Sequence, residues 1–235
     1  MENAHIVGRF DRDLNNIKAR ILEMGDLVIS QIKDATGALQ NTDTAKVDRL
    51  VATDRQINGM NKDIHTRAER LIALRQPMAL DLRQALSPIN IAAELERIGD
   101  HAKSTAKRSY KLADAPKDQE TLQIVRQMSA MVQAMLTDIL VAYNNSDIEL
   151  AAKVRALDLE VDKLNKAAFA AALRGIFEDP QMAEIFVHLI LLARNFERVG
   201  DHVVNIARHV HQIVTGEDLK ASDQRNCPKP AGRLS

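Results

Sequence analysis

The feature that most constrains this chain is a motif that occurs twice. Residues 95–102 read LERIGDHA and residues 196–203 read FERVGDHV, 101 positions apart. Upstream the likeness continues at an offset of 104: Met24 is matched by Met128, Asp34 by Asp138, Asn41 by Asn145, Asp43 by Asp147, Ala52 by Ala156, Asp54 by Asp158, and the pair Asn61 and Lys62 by Asn165 and Lys166. The chain is therefore two copies of one unit, and the unit is what must be read first. The change of offset puts a loss of three residues between the second and third helices of the unit, in a connection, where a change of length costs little.

The unit is helical. Aromatics are 3% of the chain and tryptophan is absent, while Ala, Leu, Ile, Lys, Arg, Asp and Glu dominate, a mixture that favours helix over sheet. Turn and cap residues cluster at 41–44, 76–77, 113–118, 144–147 and 179–180. They predict six long helices, near 7–40, 44–75, 78–112, 118–143, 147–175 and 181–214. The expected fold is all-α, two tandem three-helix bundles of antiparallel helices, with repeats at 1–114 and 115–215 and a polar, mobile tail at 216–235. Helices of about 30 residues are about 45 Å long at the α-helical rise, so an elongated molecule is expected. Pro88, inside the third helix, should kink it or mark a broken first turn.

Composition narrows the function. Of 235 residues 27% are charged, and they cancel to a net of zero, so no overall field steers the protein to nucleic acid or acidic lipid. The single cysteine, Cys227, cannot form an internal disulfide and fits a reducing compartment. The N-terminal stretch MENAHIVGRFDRD has acidic residues and no apolar run, unlike a secretory signal. The apolar stretch 185–193 is interrupted by His188 and falls far short of the roughly 20 residues that span a bilayer. A cytoplasmic location is expected.

In the sixth helix Ile185, Leu189, Leu192, Phe196, Val199, Val203, Ile206 and Val210 form an apolar stripe at helical spacing. Glu197 and Asp201 stand four apart, one above the other, on its flank. The third helix repeats this with Ile91, Leu95, Ile98 and Ala102 as stripe and Glu96 and Asp100 beside it. On the fifth helix Leu150, Val154, Leu157, Val161 and Leu164 form the predicted stripe, flanked by Asp158 and Asp162, and the second helix offers Asp54 and Asn58 in the same register. Like charges at this spacing destabilise a helix by roughly 0.2–0.5 kcal/mol. A mid-helix glycine, as at Gly99 and Gly200, costs about 1 kcal/mol relative to alanine. A cation between two acidic rows reverses the first penalty, and a missing side chain lets a neighbour approach closely.

Oxygen ligands without cysteine suit Mg, Ca or Mn, or iron in a carboxylate-bridged cluster, with zinc a poorer fit. His101 and His202 lie on the other flank of the stripe and read as solvated or supporting residues. His65, His188, His209 and His211 have no ligand spacing. Arg97 and Arg198 read as salt-bridge partners of the carboxylates.

The duplicated ERIGDH and ERVGDH, with QPMALDLR at 76–83 and VVNIA at 203–207, resemble the PhoU family over about residues 7–214. The resemblance implies two three-helix bundles, a homodimer, and metal clusters held by E/DxxxD pairs, here Glu96 with Asp100, Glu197 with Asp201, and Asp158 with Asp162. Asn58 in place of an aspartate, and Ser104 where the second copy has Asn205, depart from the pattern and point to a weaker first cluster. The function implied is that of a cytoplasmic adaptor and not an enzyme. It links a phosphate ABC transporter, through its ATPase subunit, to a phosphate-sensing histidine kinase and restrains uptake and the starvation response, touching membrane only through those partners. Two other classes stay open. A ferritin-like di-metal oxidase needs Glu-x-x-His on two helices, but the third residue after Glu96 and Glu197 is glycine. A metal-free helical scaffold would leave the acidic rows merely solvated.

Overall fold

The structure, a computed structural model, describes residues 2–37, 44–112 and 120–217. It contains six long α-helices: α1 (Glu2–Gly37), α2 (Thr44–Arg75), α3 (Ala79–Lys111), α4 (Glu120–Asn145), α5 (Ile148–Glu178) and α6 (Ala183–Thr215), with one 3₁₀ turn at Pro180–Met182. The expected all-α, six-helix architecture is observed, with α1 beginning at Glu2, five residues earlier than predicted. Cys227 and residues 218–235 lie outside the described residues, as do the turn cluster at 113–118 and most of that at 41–44.

Local chemistry places the breaks. After α2, Gln76 takes a left-handed φ of 47° and its N–H still reaches the Ile72 carbonyl at 2.9 Å, after which Pro77 ends the helix. The three residues 76–78 form this connection, whereas only Asp179 separates α5 from the 3₁₀ turn. Asp179 closes one element and opens the next: its N–H reaches the Gly175 carbonyl and its carboxylate accepts from the Gln181 N–H. Between α4 and α5, Ser146 is left-handed, Asp147 N–H reaches back to the Ala142 carbonyl, and the Asp147 side chain caps α5 by accepting from Leu150 N–H at 2.9 Å. Pro88 is buried within α3, which runs unbroken from Ala79 to Lys111, so the expected broken turn is absent.

The two triplets share one core. α1, α3, α6 and α4 pack in a ring, with α2 laid outside on α1 and α3, and α5 outside on α4 and α6. A single apolar cluster draws from all six helices, including Ile21, Met24, Ile64, Leu95, Met128, Val161 and Phe196. Each such fully buried side chain contributes about 1.5–3 kcal/mol before entropy is set against it. Across the ring the matching helices of the two repeats run antiparallel. Glu94 lies against His202 and Asn205 while Ser104 and Thr105 lie against Asn195, so α3 and α6 are antiparallel. α1 and α4 are too, with the hydroxyls of Thr36 and Ser129 2.6 Å apart at one end and Lys18 bonded to the Asn144 carbonyl at the other. Because matching residues pair in opposite directions, the two copies are related by a pseudo-twofold axis perpendicular to the helices.

α4, and not the stretch 185–193, is long and apolar enough to cross a bilayer by length and composition, with a window of mean hydropathy 1.2. Its apolar residues are spent inside: ten, among them Met128, Val132, Met135 and Ile139, are buried against the neighbouring helices.

Candidate metal centre

The second repeat gathers its acidic residues between α5 and α6. Burial and mutual repulsion identify the group: the Asp158 carboxyl is pushed up to about 7 by burial first and then by Asp162, Asp201 and Glu197. Burial also holds Glu197 and Asp201 above the usual carboxylate range, helped by Asp201 in the first case and Asp162 in the second. All four predicted residues of this repeat are thus within each other's field. Arg194, not Arg198, makes the nearby ion pair, at 2.6 Å from Glu197 Oε1.

Asp158 does not sit on the flank of the stripe as expected. The buried face of α5 runs through Ala151, Val154, Val161, Ala168 and Ala172, and Asp158 lies within it, while Leu157 is 37% exposed. The carboxylate is thereby carried against α6, and Gly200 is what admits it. A Cβ at Gly200 would stand 2.7 Å from Asp158 Oδ1, closer than such contacts occur. The glycine in mid-helix marks the close approach of a neighbouring carboxylate.

Among the described residues no three Asp, Glu, His or Cys side chains are arranged around one point to hold a metal ion. The chemistry of the donors nevertheless fits one. Asp158 Oδ1 and Glu197 Oε2 are buried with no hydrogen-bond partner, and a buried polar group left unsatisfied costs roughly 1–3 kcal/mol, more if charged. Lone oxygens in a field that disfavours their ionisation are what a hard cation would relieve.

The first repeat differs. Asp54 is buried, its side chain 8% exposed, and Lys103 Nζ donates to its Oδ2 at 2.7 Å. Burial raises Glu96, with Asp100 adding to the effect, and Arg97 lies 3.7 Å from it. Asp54, Glu96 and Asp100 are again brought together, but with a lysine among them and with Asn58 where the second repeat has Asp162.

The profile of the PhoU domain matches the chain twice, at residues 21–109 and 125–210. The chain belongs to the PhoU family. It is 37% identical over 215 residues to a phosphate-specific transport system accessory protein PhoU homolog of Caulobacter vibrioides, covering 92% of this chain and 94% of that one. The corresponding homolog of Pseudomonas aeruginosa is 34% identical, covering 92% and 89%. The crystal structure of PhoU from Pseudomonas aeruginosa superposes with a TM-score of 0.83 at 34% identity, over 88% of this chain and all of that one. The phosphate transport system regulatory protein PhoU from Streptococcus pneumoniae gives 0.82 at 26% identity, over 90% and 99%.

Where the two PhoU repeats meet, the histidines take a role that their positions in the sequence do not disclose. His101 and His202 occupy matching positions, and their rings stack on the pseudo-twofold axis with centroids 5.4 Å apart and planes 30° from parallel. They are half-buried, not solvated. Burial, then His202 and Arg198, hold the His101 imidazole down to about 4, so it is neutral at physiological pH. His202 Nδ1 lies 2.6 Å from Glu94 Oε2, and Asn205 donates to the same oxygen at 3.3 Å. Burial works against that carboxylate, yet the bonds from His202 and Asn205 leave Glu94 below the usual range. The matching positions in the other copy are Asn195 and Ser104, bonded to each other at 3.3 Å. The departure at Ser104 is therefore part of the contact between repeats. Both histidines open, with Asp158, Asp201, Arg198 and Arg208, onto one cleft of about 490 Å³, so the junction of the repeats borders the acidic cluster. The adjacency of His101 and His202 to the motif in sequence was the signal available, but only the antiparallel pairing of α3 and α6 gives it meaning.

Proposed function

We propose that this PhoU-family protein is an accessory regulator of phosphate uptake that binds metal between α5 and α6 and restrains both transport and the phosphate-starvation response. The likeness to phosphate transport accessory proteins, which runs through both repeats, carries this reading. Asp158, Asp162, Glu197 and Asp201 would hold the ion, a divalent metal or ferric iron, all through oxygen. The metal would neutralise a cluster whose charges otherwise repel and so tie α5 to α6. Regulation is by contact: the chain acts in the cytoplasm, as a homodimer, on the ATPase subunit of a phosphate ABC transporter and on a phosphate-sensing histidine kinase, with no reaction of its own.

Deleting the gene in its native host under phosphate-replete growth tests the regulatory half. Starvation-responsive genes should rise several-fold and return on complementation; unchanged expression contradicts the proposal. Affinity capture of the chain from the same cells, with metal measured on the captured material, should recover transporter or kinase subunits together with bound metal. Recovery of neither partner would contradict the adaptor role.

A further inference from the structure

We propose that Lys103 is a built-in cation that stands in for metal in the first repeat, so that metal loading is confined to the cluster of the second. The proposal rests on the reading of Asp158, Asp162, Glu197 and Asp201 as a metal centre.

Matching positions in the two repeats carry the argument. Asp54 and Asp158 correspond at the offset of 104; Asp54 is buried, and Asp158, half-buried, turns its Oδ1 inward. In the second repeat one oxygen of this aspartate is buried without a partner. In the first, the equivalent carboxylate receives an ammonium at 2.7 Å. Lys103 corresponds at the offset of 101 to Val204, which is buried and apolar. Lysine for valine one turn from the acidic motif thus supplies a positive charge to the inward aspartate of one copy, whereas in the other the nearby cation, Arg194, pairs with Glu197 and leaves Asp158 Oδ1 without a partner.

The glycines register the same contrast. At Gly200 the atom nearest an added Cβ is the carboxylate oxygen of Asp158, at 2.7 Å. At Gly99 the three nearest atoms belong to Gln31 and Ile57, the closest at 3.2 Å, and none to Asp54. The first carboxylate is paired with Lys103 instead of pressing against the glycine. Charge follows suit. Counted as ionised, Asp54, Glu96 and Asp100 against Lys103 leave a formal minus two, while Asp158, Asp162, Glu197 and Asp201 against Arg194 leave a formal minus three. Affinity for hard cations is set by carboxylate count and charge, and a fixed ammonium both removes charge and occupies a coordination position with a group that cannot dissociate from the chain.

The test uses the full chain, loaded with Mn(II) or Fe(III), desalted, and assayed for metal per chain, with circular dichroism confirming that each variant is folded. Asp158→Asn with Asp201→Asn should lower bound metal about tenfold or more, because the Lys103-filled copy does not compensate. Lys103→Val with Asn58→Asp, which gives the first repeat the side chains of the second at these two positions, should about double the metal bound by wild type. Lys103→Val with Asp54→Asn, which removes both charges, should fold and bind only as much as wild type. Retention of half the metal in the Asp158/Asp201 variant would overturn the inference while leaving the metal reading intact. Absence of metal from wild type would overturn that reading, and this inference with it.

Discussion

At the scale of single residues, Gly200 separates two effects that usually travel together. Alanine in a helix interior is favoured over glycine by about 1 kcal/mol, but a methyl group here would stand 2.7 Å from Asp158 Oδ1. The carboxylate must swing away, which a short side chain at the edge of the core can do. Gly200→Ala is therefore predicted to leave the melting temperature of the metal-free protein unchanged or slightly raised and to weaken Mn(II) binding about tenfold or more, read by calorimetry. Asp158 provides the second residue-scale prediction. Its carboxyl is lifted to about 7 by burial and by three neighbouring carboxylates, so the folded state holds a proton that the unfolded chain releases near the ordinary 3.8. Folding then binds protons, and this contribution to stability is present at low pH and lost as pH rises through about 7. Asp158→Asn keeps the shape and removes the charge. Without metal the variant should melt higher than wild type at pH 8, with the difference shrinking toward pH 4; with saturating Mn(II) at pH 8 the order should reverse. A difference that does not vary with pH would contradict the assignment.

Helices were legible from the sequence and their faces were less so. The period of threes and fours in α6 located its core face correctly, from Leu189 through Val210, because apolar residues fill that stripe without interruption. The stripe of α5 was misplaced by one residue at its centre. Leu157 and Asp158 are neighbours, hydrophobicity alone assigns the leucine to the core, and the structure leaves the leucine exposed and turns the half-buried aspartate inward instead. A buried carboxylate is costly unless something on the facing helix accommodates it, and Gly200, which does so, lies 42 residues away, where no single-helix pattern can include it. Connections were easier, since caps are local. Asp147 caps α5 through the Leu150 N–H, and Asp147→Ala should cost about 1 kcal/mol in chemical denaturation. A loss below a few tenths would mean that the cap is replaced by water at no expense.

For the whole molecule, the duplication could be read from two strings and a change of offset, and the all-helical class from composition. What could not be read was that the copies lie antiparallel along α3 and α6 and share a single core. That arrangement depends on contacts between residues about 100 apart, such as Glu94 with His202 and Thr36 with Ser129. It also turns His101 and His202 from flanking residues into a stacked pair on the molecular axis, and it sets the acidic cluster beside the junction of the repeats, where an ion that draws α5 to α6 would act on a surface common to both halves. The account stands on that ion. Crystals of the full chain grown with Mn(II), measured at the manganese edge, test it most directly. The account predicts an anomalous peak between α5 and α6, with oxygens of Asp158, Asp162, Glu197 or Asp201 about 2.0–2.6 Å away; a map without that peak, with the four carboxylates turned to solvent at saturating metal, would contradict it.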